Sequence, residues 1–225
     1  MIRNLIFDVY GTLVTSGTGS VDATREIFKE FGMADDAEKI YRRWKELHRE
    51  HYIRPAFKTE RDIYVEDLGC LFMELGIDAD PGVKIVPMHK SLYGRHMFPD
   101  AEKAMGEIIG KYNCAIGSVT DDEPLRDSIK DTVLERIDLV YTSESLKVYK
   151  PHLRFYTDIL ESTGWKVEET VFIGDSMEND VIGPKKAGLR AVLIDRKGKY
   201  DGNSEVKPDA VISSMEELIS VLSEM

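Results

Sequence analysis

Glutamine is absent from this chain of 225 residues, and asparagine occurs only at Asn4, Asn113, Asn179 and Asn203. So few amides beside 32% charged residues is a composition reported for proteins of hot environments, and it points to a thermophilic source. Cysteine is scarce too. Cys70 and Cys114 stand far apart inside apolar patterns, so neither a disulfide framework nor a paired-cysteine zinc site is expected, and a reducing cytoplasm is. No apolar run approaches the ~20 residues of a membrane span. The apolar start, Met1–Val14, is interrupted by Asp8 and followed by no small-residue cleavage site, so it is not read as a signal peptide. Positive charge is also short: 30 basic residues face 41 acidic ones, a net charge of −11. That balance argues against nucleic acid as a partner, which needs a basic face. A small anionic substrate remains possible if local cations offset the field. With 42% hydrophobic residues the chain can bury a substantial core as one large domain or two modest ones, and it is expected to be a monomer or a homodimer.

What is present is a rhythm of short, continuous apolar runs at Arg3–Val9, Cys114–Val119, Ile137–Thr142, Thr170–Gly174, Ala191–Asp195 and Asp209–Ile212. Continuous rather than alternating apolar character marks strands covered on both faces. Helical periodicity follows most of them, at Ala101–Tyr112, Pro124–Leu134, Leu153–Thr163, Met177–Ala187 and Met215–Ser223. The last opens with the capping-box pattern Ser214-Met-Glu-Glu217. The fold class is therefore α/β with a mainly parallel sheet. Between the first two strands lies a long insertion, residues 15–95, without a strand pattern. Its amphipathic helices are expected over Val21–Phe31, Ala37–Tyr52 and Arg61–Leu75, with a weaker one near Val83–Tyr93. Thr59 is placed to cap the third through Asp62, and the hinges fall at Thr15–Ser20 and Gly94–Pro99. Residues 1–14 and 96–225 then form a discontinuous Rossmann-like core, and residues 15–95 an all-helical cap.

Parallel sheets bind ligands in the crevice beyond the carboxyl ends of their strands. Four of those ends carry Asp8-Val-Tyr-Gly-Thr-Leu13, Ser118-Val-Thr-Asp-Asp122, Lys147-Val-Tyr-Lys-Pro151 and Gly174-Asp-Ser-Met-Glu-Asn-Asp180. Taken singly, each has an ordinary explanation: a turn aspartate, a threonine bonding its own backbone, a surface lysine, a helix N-cap. Together they would bring a carboxylate, a hydroxyl, an ammonium and an acidic cluster to one point.

These four segments resemble the signatures of the haloacid dehalogenase-like (HAD) hydrolase superfamily over nearly the whole chain, with Asp8 in the first, Thr120 in the second, Lys150 in the third, and Asp175 and Asp180 in the fourth. The resemblance implies a Rossmann-like core with a helical cap inserted after strand one. It makes Asp8 the nucleophile of a covalent intermediate, and Lys150 the cation that steadies Asp8 and the developing charge. Thr120 would bind a non-bridging oxygen, with Asp121 and Asn179 beside the substrate. Mg²⁺, which prefers oxygen ligands, would be held by Asp8, the backbone carbonyl of Tyr10, Asp175 and Asp180.

The branches disagree about the reaction. Phosphatases of this superfamily carry an aspartate two residues after the nucleophile as general acid, and here that position is Tyr10. Asp8-x-Tyr-Gly-Thr12 and Val148-Tyr-Lys-Pro151 resemble the metal-free L-2-haloacid dehalogenases, which place a cap arginine over the substrate carboxylate; Arg43 or Arg42 stands at about that place. The fourth segment keeps both acids of the metal-binding form, and Thr120-Asp121 stands where dehalogenases have Ser-Asn. Two acids close to Asp8 make physical sense mainly with a cation present. The expectation is a magnesium-dependent phosphatase acting on a small phosphomonoester. The alternative is an L-2-haloacid dehalogenase, and the third reading a non-catalytic binding module. His48, His51, Tyr52, Arg54 and Lys58 face either the site or the solvent.

Overall fold

The computed structural model describes residues 1–16, 18–54 and 56–225. Six strands form one parallel sheet: β1 (Asn4–Phe7), β2 (Asn113–Ser118), β3 (Leu139–Thr142), β4 (Thr170–Gly174), β5 (Arg190–Ile194) and β6 (Ala210–Ile212), in the order β3-β2-β1-β4-β5-β6. β1 sits at the centre, with Ile6 opposite Ala115 on one side and Phe172 on the other. All four of its residues are buried, which is why its sequence is apolar without alternation. The strand order reverses at β1, so the crevice at the ends of β1, β2 and β4 is the topological switch point where α/β sheets bind ligands.

Between β1 and β2 the chain forms α1 (Gly19–Lys29), α2 (Ala37–Tyr52), α3 (Glu60–Leu75), two short helices, α4 (Pro81–Lys84) and α5 (Val86–Lys90), and then α6 (Pro99–Ile108). α1, α2, α3 and α5 bury a cluster of their own, including Ile27, Phe28, Ile40, Trp44, Leu68, Phe72 and Met88. It is separate from the cluster on one face of the sheet, which includes Leu5, Phe7, Met105, Ile116 and Ile173. Thr59 caps α3 by accepting from the Asp62 N–H at 3.2 Å. Chain exit and return lie side by side: Thr15 donates to the His96 carbonyl at 2.8 Å and Phe98 to that of Leu13 at 2.9 Å, with an antiparallel bridge between Val14 and Met97.

The remaining helices are α7 (Asp122–Ile129), α8 (Ser143–Leu146), α9 (Leu153–Thr163), α10 (Gly183–Lys186) and α11 (Leu218–Glu224). Periodicity carries α7 on to Leu134, but it stops at Ile129; Asp131 turns left-handed at φ 58° and a 3₁₀ turn over Val133–Arg136 follows. Similarly, α6 ends at Ile108 rather than Tyr112, just before Gly110 at φ 102°. Met177–Ile182 is a π-helical turn leading into α10, not a regular α-helix. Ser176 accepts from the Asn179 N–H at 3.2 Å, while the Asp180 carboxylate reaches back to the Ser176 N–H at 2.9 Å, and this pair of bonds holds the wide turn. The capping box at Ser214–Glu217 is present and starts the C-terminal helical segment. Among the described residues, no helix is long and apolar enough to cross a membrane.

Candidate active site at the end of the central strand

Asp8 follows β1 directly, and its backbone N–H still bonds the Ile173 carbonyl of β4 at 2.8 Å, so the sheet fixes its position. Its side chain is gripped from three directions. Lys150 Nζ donates to Oδ1 at 2.9 Å, Ser118 Oγ lies 3.5 Å from the same oxygen, and Thr12 Oγ1 donates to Oδ2 at 3.1 Å. Lys150 Nζ also donates to Asp180 Oδ1 at 2.8 Å. Lys150 is 0% exposed, Asp180 1% and Asp8 7%. Carboxylate oxygens of Asp8, Asp175 and Asp180 all lie within 4.8 Å of one another.

Three carboxylates here face one ammonium, and the protonation energetics reflect the shortage of positive charge. Burial would push the Lys150 pKa down, but Asp180 and Asp8 outweigh it and hold the lysine charged. Asp180 is raised by burial and by Asp8, against the pull of Lys150. Asp175 is pushed up to about 7 by desolvation and by the charges of Asp8 and Asp180, although its side chain reaches solvent and water moderates the effect. A divalent cation among the three carboxylates would remove this repulsion, and an all-oxygen donor set suits a hard ion. Backbone approach is equally close: Gly11, at φ 93°, passes so near the Asp175 carboxylate that a Cβ would collide with it. Gly174 stands in the same relation to Asp180.

Thr120 is 2% exposed, two residues beyond Ser118, with its hydroxyl next to the Tyr10 phenol. That phenol donates to the Pro124 carbonyl at 3.2 Å and lies 3.0 Å from Ser128 Oγ, and burial raises its pKa over the opposing influence of Ser128 and Arg95. The Asn179 N–H bonds Ser176, and its carbonyl accepts from the Tyr156 hydroxyl.

Two expected site residues are otherwise engaged. Asp121, expected beside the substrate, has its two oxygens accepting from the Glu60 and Arg61 N–H groups at 2.9 Å each, capping the start of α3. Burial pushes it up to about 6, against those two bonds. Arg43 is not brought to the cluster: it lies exposed on α2, with Nη2 2.7 Å from Glu74 Oε1 of α3 and Nη1 3.1 Å from Glu46. Conversely, Thr12 and Ser118 touch Asp8 but were not singled out in the sequence. Thr12 had a signal, a hydroxyl four residues after Asp8 in a tight post-strand turn; Ser118 had one in closing the strand beside β1. Of the residues left open, His48 and His51 are buried against Asp67, with His48 Nδ1 2.8 Å from Oδ2 and His51 Nε2 3.1 Å from Oδ1.

Residues 5–194 match the family described as haloacid dehalogenase-like hydrolase. The chain belongs to that family. A glyceraldehyde 3-phosphate phosphatase of Methanocaldococcus jannaschii is 38% identical over 236 residues, covering 100% of this chain and 99% of the relative. Among solved structures, the L-2-haloacid dehalogenase from Xanthobacter autotrophicus superposes with a TM-score of 0.81 at 20% identity, each chain covered to 100%. The magnesium-bound putative HAD-hydrolase YfnB from Bacillus subtilis superposes with a TM-score of 0.83 at 20% identity, each chain covered to 99%. The α/β sheet is thus that of HAD hydrolases, and this protein is a hydrolase of that kind.

Proposed function

We propose that the chain is a magnesium-dependent phosphatase that hydrolyses a small phosphomonoester through an aspartyl-phosphate on Asp8. The observation that carries this reading is the convergence of three carboxylates, Asp8, Asp175 and Asp180, where one buried ammonium pairs with only two of them, Asp8 and Asp180, a charge pattern that calls for a cation. The glyceraldehyde 3-phosphate phosphatase name of a full-length relative supports a three-carbon phosphate as substrate, and YfnB was solved with magnesium. In this reading residues 1–14 and 96–225 are the catalytic core, and residues 15–95 are the cap that closes over it.

The bound ion would screen the phosphate from the carboxylates and polarise its oxygens, held by Asp8, Asp175, Asp180 and the Tyr10 carbonyl. Asp8 forms the new O–P bond as the ester oxygen departs, and Thr12 and Ser118 aim its carboxylate. Lys150 offsets the charge that gathers during attack, and Thr120 binds a non-bridging oxygen. Water then cleaves the acyl phosphate, releasing phosphate and restoring Asp8. A leaving alkoxide needs a proton, and Tyr10 is a poor donor, with its hydroxyl turned onto Pro124 and Ser128 and its pKa raised.

The test is hydrolysis of glyceraldehyde 3-phosphate and p-nitrophenyl phosphate with Mg²⁺ and with EDTA. Activity is expected only with the metal and is expected to vanish in Asp8→Asn and Asp175→Ala. Metal-free release of halide from 2-chloropropionate would instead favour the dehalogenase reading.

A further inference from the structure

The insertion buries a core of its own, so it can move as a unit, and the contacts that hold it against the sheet fall into separate sets. On the hinge side are the backbone bonds of Thr15 and Phe98. Another set lies where α2 gives way to α3. Tyr149, 4% exposed, donates its hydroxyl to the Lys58 carbonyl at 2.9 Å and stacks on the Tyr52 and Phe57 rings, with centroids 4.4 and 5.3 Å away. Lys147 Nζ lies 5.2 Å from the centroid of the Phe57 ring. Asp121 takes the first two N–H groups of α3, from Glu60 and Arg61.

The core partners in this second set are chain neighbours of the site. Asp121 follows Thr120 directly, and Tyr149 precedes Lys150, whose ammonium bonds Asp8 and Asp180. One planar peptide bond therefore separates each cap contact from the hydroxyl or the ammonium assigned to the phosphate. The two bonds to Asp121 are charge-assisted, and its carboxylate stands at the positive end of a helix of 16 residues. Burial nevertheless outweighs them and pushes Asp121 up to about 6. A carboxylate that gains by re-entering water makes a contact that breaks readily, as one made and broken in every turnover must.

We propose that Asp121 and Tyr149 are positioning residues that latch the cap onto the core and thereby hold Thr120 and Lys150 in register with Asp8. The coupling to substrate rests on the phosphatase reading; the latch itself rests on the contacts above. A site that is complete only in the latched state binds substrate with an affinity scaled down by the latched fraction. Weakening the latch therefore raises KM and leaves kcat, which reports on the closed complex, close to its starting value.

The experiment reads cap position and catalysis separately. Cys70 is exposed on α3 and Glu168 is exposed on the core, so with Glu168→Cys and Cys114→Ser, spin labels at positions 70 and 168 report the cap–core distance by double electron–electron resonance with Mg²⁺ present. This parent is expected to show one narrow distance distribution. Asp121→Ala should add a second, longer population, and Tyr149→Phe, which keeps the ring and loses only the hydroxyl, a smaller one. KM for p-nitrophenyl phosphate should rise about tenfold in Asp121→Ala and about threefold in Tyr149→Phe, with kcat held within about twofold. Asp121→Asn, which keeps one acceptor oxygen, should recover part of the loss. Unchanged distances in Asp121→Ala overturn the proposal, as does a broad distribution in the parent. A loss confined to kcat also overturns it, because it would place Asp121 in the chemistry itself. If circular dichroism shows Asp121→Ala misfolded, Tyr149→Phe decides alone by the same two readouts. If the parent hydrolyses no phosphate ester with Mg²⁺, the phosphatase reading falls and takes the coupling to substrate with it, while the label distances still decide the latch.

Discussion

His48 offers a direct test of how the insertion between β1 and β2 is held together. Its imidazole is 8% exposed, with Nδ1 2.8 Å from Asp67 and Nε2 3.6 Å from Glu60; His51, Tyr52 and Tyr64 complete the surroundings. Burial alone would lower its pKa, but the two carboxylates outweigh it and raise it from 6.5 to about 9. A folded-state pKa above the unfolded value means that protonation favours the folded state. The contribution is complete below pH 6.5 and is lost as pH climbs through about 9. At 1.36 kcal/mol per unit the difference is about 3 kcal/mol. Urea unfolding followed by Trp44 fluorescence, with Trp165→Phe silencing the other tryptophan, should show stability falling between pH 6 and pH 9.5. His48→Gln should be weaker at pH 6 by about the same ~3 kcal/mol and lose much less with rising pH, since other titrating groups cancel in the comparison. An imidazole that titrates below pH 7 by NMR, or equal pH slopes in the two proteins, would refute the reasoning.

Two further outcomes follow from the site. Lys150→Met strands Asp8 and Asp180 as buried acids, so it should cost about 3–5 kcal/mol in urea unfolding without metal and abolish turnover; a loss under ~1 kcal/mol would mean the ion pairs are not what holds the cluster. Gly11→Ala puts a Cβ against Asp175 at a left-handed backbone position, and should cost at least ~1–2 kcal/mol and lower Mg²⁺ affinity in calorimetry. Unchanged Mg²⁺ affinity there would separate Asp175 from the metal.

Much of the architecture is decided locally. Apolar runs bounded by turn residues mark all six strands to within three residues, because strands covered on both faces need unbroken hydrophobic sequence. α9 and α2 occupy the same residues that their periodicity marks, and Ser214 and Thr59 start helices because a cap needs only the next three residues. The placement of Asp8, Lys150, Asp175 and Asp180 was legible for a related reason: chemistry sits at strand ends, and strand ends are local features.

What only tertiary structure decided involves partners distant in the chain. Arg43 lies on the helix where an anion-binding arginine was expected, but Glu74, 31 residues away, takes its guanidinium. Asp121 follows Thr120 in a site motif, yet its oxygens serve backbone N–H groups 60 and 61 residues earlier. Arg95 falls in the expected hinge stretch, and only folding lays its guanidinium over the Tyr10 ring, 4.4 Å from the centroid. Local pattern sets which face a side chain takes on its own helix or strand; which charge waits on the opposite face is set by how the elements pack.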